Sequence, residues 1–259
     1  MLHYTYGEFE ESLADFESAF SIIKDENEND YFHAAAAAAL RIGKETKSGD
    51  LIKNAIYFKN ANKVYFENFE GFDIYRNTET LISVHKNYDE YSQEYRNQLK
   101  HPAIYDEIEA MMEADQAVRD GNSSTEDMVK QDSLNIDRLI EITKEHGWQE
   151  KSWLMLWHQR GNHTEDNYIW NYFRPVIDSL IVTCEIRKDY WVQFEEHNAI
   201  FSTGNQIYGM FWRNYDSYPL HDVENVDKRR DSVGLAPLCY MHEVYNANLT
   251  EGYVKPIKP

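Results

Sequence analysis

The chain has 259 residues, 26 of them basic and 45 acidic, for a formal net charge of −19. That excess repels a phosphate backbone at long range, which sets nucleic acid aside as a general partner. A 42% hydrophobic share with 14% aromatics sets wholesale disorder aside, and the lack of any apolar run of about 18 residues sets membrane insertion aside.

The first predicted helix carries Phe9, Leu13, Phe16 and Phe20 on one face, behind the turn residue Gly7. This arrangement resembles the middle of a tetratricopeptide repeat. Only six residues precede Gly7, where the first helix of a repeat needs about a dozen, so the sequence is expected to open inside a trimmed or degenerate repeat. Asp30-Tyr31-Phe32-His33 then opens an alanine-rich helix ending near Gly43, whose small residues suit close helix approach. Its partner is expected to begin at Leu51, after a turn at Gly49-Asp50. Turn-like and helical pieces alternate from Tyr65 to Leu99. Residues 1–100 are read as tetratricopeptide-like helical hairpins, a scaffold with a surface for a protein partner.

His101-Pro102 marks a boundary, because the residue before proline disfavours helix. A helix is predicted from Ala103 to Arg119, with Ile104, Ile108 and Met111 on its apolar stripe and Asp115 next in register. A carboxylate on an apolar stripe needs a partner. Either Arg119 pairs with it along the helix, or the two belong to an inward-facing polar cluster. A loop at Gly121-Asn122-Ser123-Ser124-Thr125 leads to a helix from Met128 to His146, ended by Gly147. There Asn135 shares the face of Leu139 and Ile142, with Asp132 one turn earlier. A buried Asn must find partners, most simply by bridging helices.

Trp153 and Trp157 are spaced to stack, with His158 beside them and His163 in the following loop. Pro175 is expected to begin a helix with Val176, Leu180 and Cys184 on one face, followed by a helix from Tyr190 to His197. Beyond the turn at Thr203-Gly204-Asn205, Gln206 to Trp212 suits a strand, paired by Tyr218 to Val223 across a loop at Asn214 to Ser217. A short helix from Val226 to Ser232 stops at Gly234. The whole is mainly α, with residues 101–259 forming a helical domain that ends in a small β-hairpin.

Residues 103 to about 245 resemble a bacterial family of domains of unknown function. The likeness is carried by ordered elements: Asp115-Gln116-Ala117-Val118-Arg119, Asp132-Ser133-Leu134-Asn135, Gly147-Trp148, His158, Gln206-Ile207-Tyr208-Gly209, Val226 to Arg230, and Gly234 to Leu238. Two departures stand out. Glu196-His197 replaces an acid–arginine pair, and Met210-Phe211 replaces Thr-Gln. The preceding helical region resembles those of some secreted or periplasmic Bacteroidota proteins. The resemblance implies no activity.

Two readings of function follow. One is a binding or scaffolding protein whose polar cluster takes up a small polar ligand through Arg119, Asn135, Gln206, Tyr208 and Arg229. The other is a hydrolase-like enzyme in which Asp115, His158 and Glu196 supply a carboxylate–His acid–base pair. No cofactor is expected, because phosphate-loop, dinucleotide and nucleophile-elbow motifs are absent. No metal is expected either: His158, His163 and His197 lack the helical spacing of zinc proteases. Cys184 and Cys239 are read as buried thiols, with a single disulfide as the alternative in an exported protein. Met1-Leu2-His3-Tyr4 has neither the basic start nor the apolar core of a signal peptide. The sequence as it stands reads as cytoplasmic, with export after loss of a leader as the alternative.

Overall fold

The computed structural model describes residues 1–22, 28–121 and 123–255. The chain is mainly helical and divides into two compact units, Met1–Lys100 and His101–Pro259. No helix among the described residues is long and apolar enough to cross a membrane.

In the first unit the Phe9–Ile22 helix buries Leu13 and Phe16, with Phe9 and Phe20 packed at the edge of the same core. Phe32 is fully buried, with Tyr65, Phe66, Phe69 and Phe72 around it at ring-centroid distances of 5.6 to 6.0 Å. Burying one such ring contributes about 1.5–3 kcal/mol. The expected turn at Gly49-Asp50 is absent. One helix runs unbroken from Glu45 to Lys59. Gly49 serves close packing instead, since a Cβ there would lie 3.1 Å from Thr80 Cγ2. One residue earlier, the buried Ser48 hydroxyl donates to the Ala36 carbonyl at 3.2 Å. The small residues thus do bring two backbones together. Asn62 and Thr78 cap the Lys63–Asn68 and Glu79–Lys86 helices.

The second unit is built on the Pro102–Ala117 and Thr125–His146 helices, which pack against each other. Ile108, Ile136, Leu139 and Ile142 meet Met155, Leu156, Trp170, Phe173 and Phe194 in its main core. The longer helix starts at Thr125 rather than Met128, because Ser124 and Asp127 cap it reciprocally. Asn122 of the expected loop lies outside the described residues. Pro175 does not begin a helix but lies inside Tyr168–Val182. The start is set by Asn167, whose side chain accepts from Ile169 N and Trp170 N. The buried face is accordingly Ile169, Trp170, Phe173 and Ile177, not Val176, Leu180 and Cys184. Cys184 is exposed beyond the helix end and Cys239 is half-buried; both are free thiols, which corrects the expectation of buried ones.

The expected C-terminal β-hairpin does not form, and no strand occurs among the described residues. Residues 206 to 220 share one isolated bridge between Gln206 and Leu220, and it is parallel. The physical reason is that side chains have taken the backbone groups a ladder would use. Glu196 accepts the N–H groups of Ile207, Tyr208 and Met210, while Arg229 and Arg230 donate to the carbonyls of Ile207 and Tyr208. Beyond the Val226–Ser232 helix, the Leu238–Tyr245 helix follows.

Candidate functional site

The polar residues singled out from sequence fall into two separate hydrogen-bond networks of the second unit. The first lies where the Pro102–Ala117 helix meets the Thr125–His146 helix and the end of Trp153–Trp157. Asp115 is 1% exposed, and its Oδ1 lies 2.9 Å from His158 Nδ1 and 3.0 Å from an Arg119 Nη1. The Gln116 amide donates to Oδ2 at 2.7 Å. Arg119 also pairs with Asp132 on the neighbouring helix, and so bridges both carboxylates. The intrahelical pair and the inward-facing cluster are therefore one object. Burial alone pushes the Asp115 carboxyl up. The His158 hydrogen bond and charge, the Gln116 amide and the Arg119 guanidinium outweigh it and hold the group below its ordinary range.

An ionised carboxylate only accepts hydrogen bonds, so His158 Nδ1 is the donor to Asp115. In a neutral ring this leaves Nε2 without a proton. Nε2 has no hydrogen-bond partner among the described residues, and it is not a sealed atom. The result is a mostly buried imidazole, fixed from behind by a buried acid and uncommitted at its other nitrogen among the described residues. Asn135 lies on the Asp132 face of its helix. Its Oδ1 accepts from Gln131 at 2.9 Å, while its buried Nδ2 has no partner among the described residues.

The second network holds Glu196, Gln206, Tyr208 and Arg229. Glu196 is fully buried, and its two oxygens accept from Ile207 N at 2.6 Å, Tyr208 N at 3.0 Å and Met210 N at 2.9 Å. Gln206 accepts from Phe211 N and donates to the Phe211 and Tyr218 carbonyls. The Tyr208 hydroxyl donates to Glu195 at 2.6 Å; burial first, then that carboxylate, raises it above its ordinary range. Arg229 donates to the carbonyls of Ile207, His221 and Asp222. Buried Arg230 donates to Tyr208 and Ala236. Asp227 accepts from Leu238 N and the Tyr253 hydroxyl. Every one of these contacts clamps the chain between residues 206 and 238. None of Glu196's hydrogen bonds reaches Asp115 or His158.

Gly209 has a φ of +70°, and a Cβ there would lie 2.9 Å from the Tyr215 hydroxyl. The Gln-Ile-Tyr-Gly element, the Val226 to Arg230 stretch and the Gly234 to Leu238 stretch thus hold one loop.

His158, His163 and His197 do not gather as metal ligands. The one set with ligand spacing among the described residues is Asp115, Asp132 and His158, whose ligand atoms lie within 4.8 Å of one another. Arg119 already bonds both carboxylates of that set, so a cation would have to displace it.

Sequence reasoning passed over Arg160. It follows His158 by two residues, and its guanidinium carbon sits 4.6 Å from the Trp157 ring centroid. The His197 ring packs edge-on to Trp157 at 5.6 Å. The place of Arg160 three residues after Trp157 was the available signal, whereas only the fold brings His197 to the same ring. A cavity of about 440 Å³ in the first unit is lined by Phe66, Phe72 and Leu81, and one of about 340 Å³ in the second by Trp153, Tyr190 and Met210. Neither is lined by Asp115 or His158.

Comparison of the chain with known protein families, with curated proteins and with solved structures finds no match.

Proposed function

We propose that the chain is a binding or scaffolding protein whose His101–Pro259 unit takes up a small polar ligand at His158. The observation that carries this reading is an imidazole held at Nδ1 by buried Asp115, with Nε2 bonded to nothing among the described residues. A carboxylate sealed from water is costly, and a charge-paired cluster of four side chains is a poor substitute for an apolar core. Its retention is explained by a task for the ring it holds. Arg119 belongs to this site as the clamp on Asp115 and Asp132. Asn135, with its unmatched Nδ2, offers a further polar contact. Membership of the resembled family of unknown function is supported by the ordered elements named above. The Met1–Lys100 unit is proposed as tetratricopeptide-like hairpins that present a surface to a protein partner, supported by the packing of its successive helices. The charge of −19 disfavours nucleic acid in that role.

The test is a thermal-shift panel of carboxylates, phosphates, sugars and amides against the wild-type chain and His158→Gln. A stabilising compound whose effect disappears in His158→Gln supports the reading. A flat panel, or hits indifferent to the substitution, counts against it.

A second reading is favoured by the 2.9 Å contact between Asp115 and His158. In a hydrolase-like enzyme, His158 Nε2 would take a proton from water and return it to the leaving group, with Asp115 fixing the tautomer. Glu196 has no part in it, because three backbone N–H groups fill its oxygens. Turnover of ester, amide or phosphoester probes that survives His158→Gln unchanged would dispose of this reading.

A further inference from the structure

Two basic side chains packed on Trp157, Arg160 and His197, make no ion pair among the described residues, although the sequence carries 45 carboxylates. The Arg160 Nη1 donates to the Trp157 carbonyl at 3.1 Å, but its buried Nε has no hydrogen-bond partner. His197, packed on Trp157 and stacked on Phe201 at 4.4 Å, has neither ring nitrogen engaged.

A guanidinium with an orphaned N–H is costly unless something accepts from it. Arg119, the nearest guanidinium in charge terms, is committed to Asp115 and Asp132. Burial first and then that arginine lower Arg160, against an opposing pull from Asp132, and burial followed by Arg160 lowers His197, so the two basic groups feel one another. Asp132 is already engaged by Arg119, and a basic pair against an indole is suited to an anion.

We propose that Arg160 and His197, both packed on Trp157, form a subsite for an oxyanion, a carboxylate or phosphoryl group, on the ligand that His158 contacts. The assignment rests on the reading of His158 as a ligand-binding group. Arg160 supplies the charge and the Nη2 edge of its fork, its Nη1 being bonded to the Trp157 carbonyl and its Nε buried. His197 supplies a ring N–H. Trp157 holds both in place and reports on them.

The full chain is titrated with inorganic phosphate and, in a parallel arm, with acetate, against sodium chloride at matched ionic strength. Tryptophan fluorescence and the ring signals of His158 and His197 are followed together. Saturable binding of phosphate or acetate is expected, weakened about tenfold or more in Arg160→Gln and less in Arg160→Lys. The arm that saturates tells which oxyanion the subsite prefers. Absence of saturation by either anion, an equal response to chloride, or undiminished binding by folded Arg160→Gln would overturn the proposal. If Arg160→Gln does not fold, Arg160→Lys and His197→Gln carry the comparison, and unchanged affinity in both overturns it. If binding depends on Arg160 while the His158 signals stay still, the oxyanion subsite stands and the ligand-binding reading of His158 falls.

Discussion

Asp115 Oδ1 and His158 Nδ1 lie 2.9 Å apart, one group sealed from solvent and the other mostly buried beside it. Two helices and a short tryptophan-bearing helix end are needed to make that contact. Asp115 is supplied by Pro102–Ala117, and its counter-charge is Arg119, which also pairs with Asp132 on Thr125–His146.

Removing Asp115 should therefore unsettle more than one partner. Asp115→Ala leaves both Arg119 and His158 without their shared acceptor, and breaking a buried pair costs about 3–5 kcal/mol. The Asp132 contact remains, so a loss near the lower end, about 3 kcal/mol, is expected in urea unfolding. A loss within experimental error would show that the contact is ornamental to the fold.

Acid should reveal the same group. Because the folded Asp115 carboxyl is depressed, its contribution is complete above the ordinary carboxyl value and is lost as pH falls through the depressed one. Stability of the wild-type chain should fall more steeply in that window than stability of Asp115→Asn. Parallel acid limbs for the two proteins would contradict this.

His163 titrates by a different cause. Burial, reinforced by Arg174, pushes its ring down from 6.5 to about 4. The unfolded chain takes the proton first, so the contribution of a neutral His163 is complete above 6.5 and is lost as pH falls toward about 4. The ring is partly exposed, so solvent screening leaves about 1 kcal/mol rather than the full value of the shift. His163→Phe keeps the ring contacts with Trp170 and Phe194 and should flatten the pH dependence in that range. An unaltered slope would rule His163 out as its source.

Glu196 is expected to behave as a structural clamp. Glu196→Gln replaces one accepting oxygen with a donor facing backbone N–H groups, at a cost of about 2–3 kcal/mol. The tautomer of the His158 ring, followed by NMR, should not change. A changed His158 tautomer in the folded variant would join the two networks that the structure keeps apart.

At Gly209 the backbone and the space around it agree. Gly209→Ala puts a Cβ 2.9 Å from the Tyr215 hydroxyl at a φ of +70°, at a cost of about 1–3 kcal/mol. That hydroxyl is buried without a partner, so Tyr215→Phe alone should be nearly neutral. In the Gly209→Ala background it should restore part of the loss. Strict additivity of the two substitutions would show that strain in the backbone, not the clash, dominates.

The helices and the inward turn of Asp115 were legible because periodicity reports which face is buried. Ile104, Ile108, Met111 and Asp115 share a stripe, and the core does lie there. The joining of Asp115 to His158 was not legible, since 43 residues separate them and no spacing rule links two helices. The hairpin was misread for a related reason. Gln206 to Trp212 holds apolar and aromatic residues that suit a strand, but Glu196, Arg229 and Arg230 claim its backbone groups from a distance. Gly49 was read as a turn because glycine has two uses, and only the position of Thr80 tells close approach from chain reversal. Pro175 misled because Asn167 caps the helix two turns earlier.

The most direct measurement is the protonation state of the His158 ring by long-range nitrogen NMR near neutral pH. Among neutral rings the expected form carries its proton on Nδ1, bonded to Asp115, and Asp115→Ala should abolish that preference. A proton resident on Nε2, or a tautomer indifferent to Asp115→Ala, would mean that the buried acid does not hold the imidazole for a ligand.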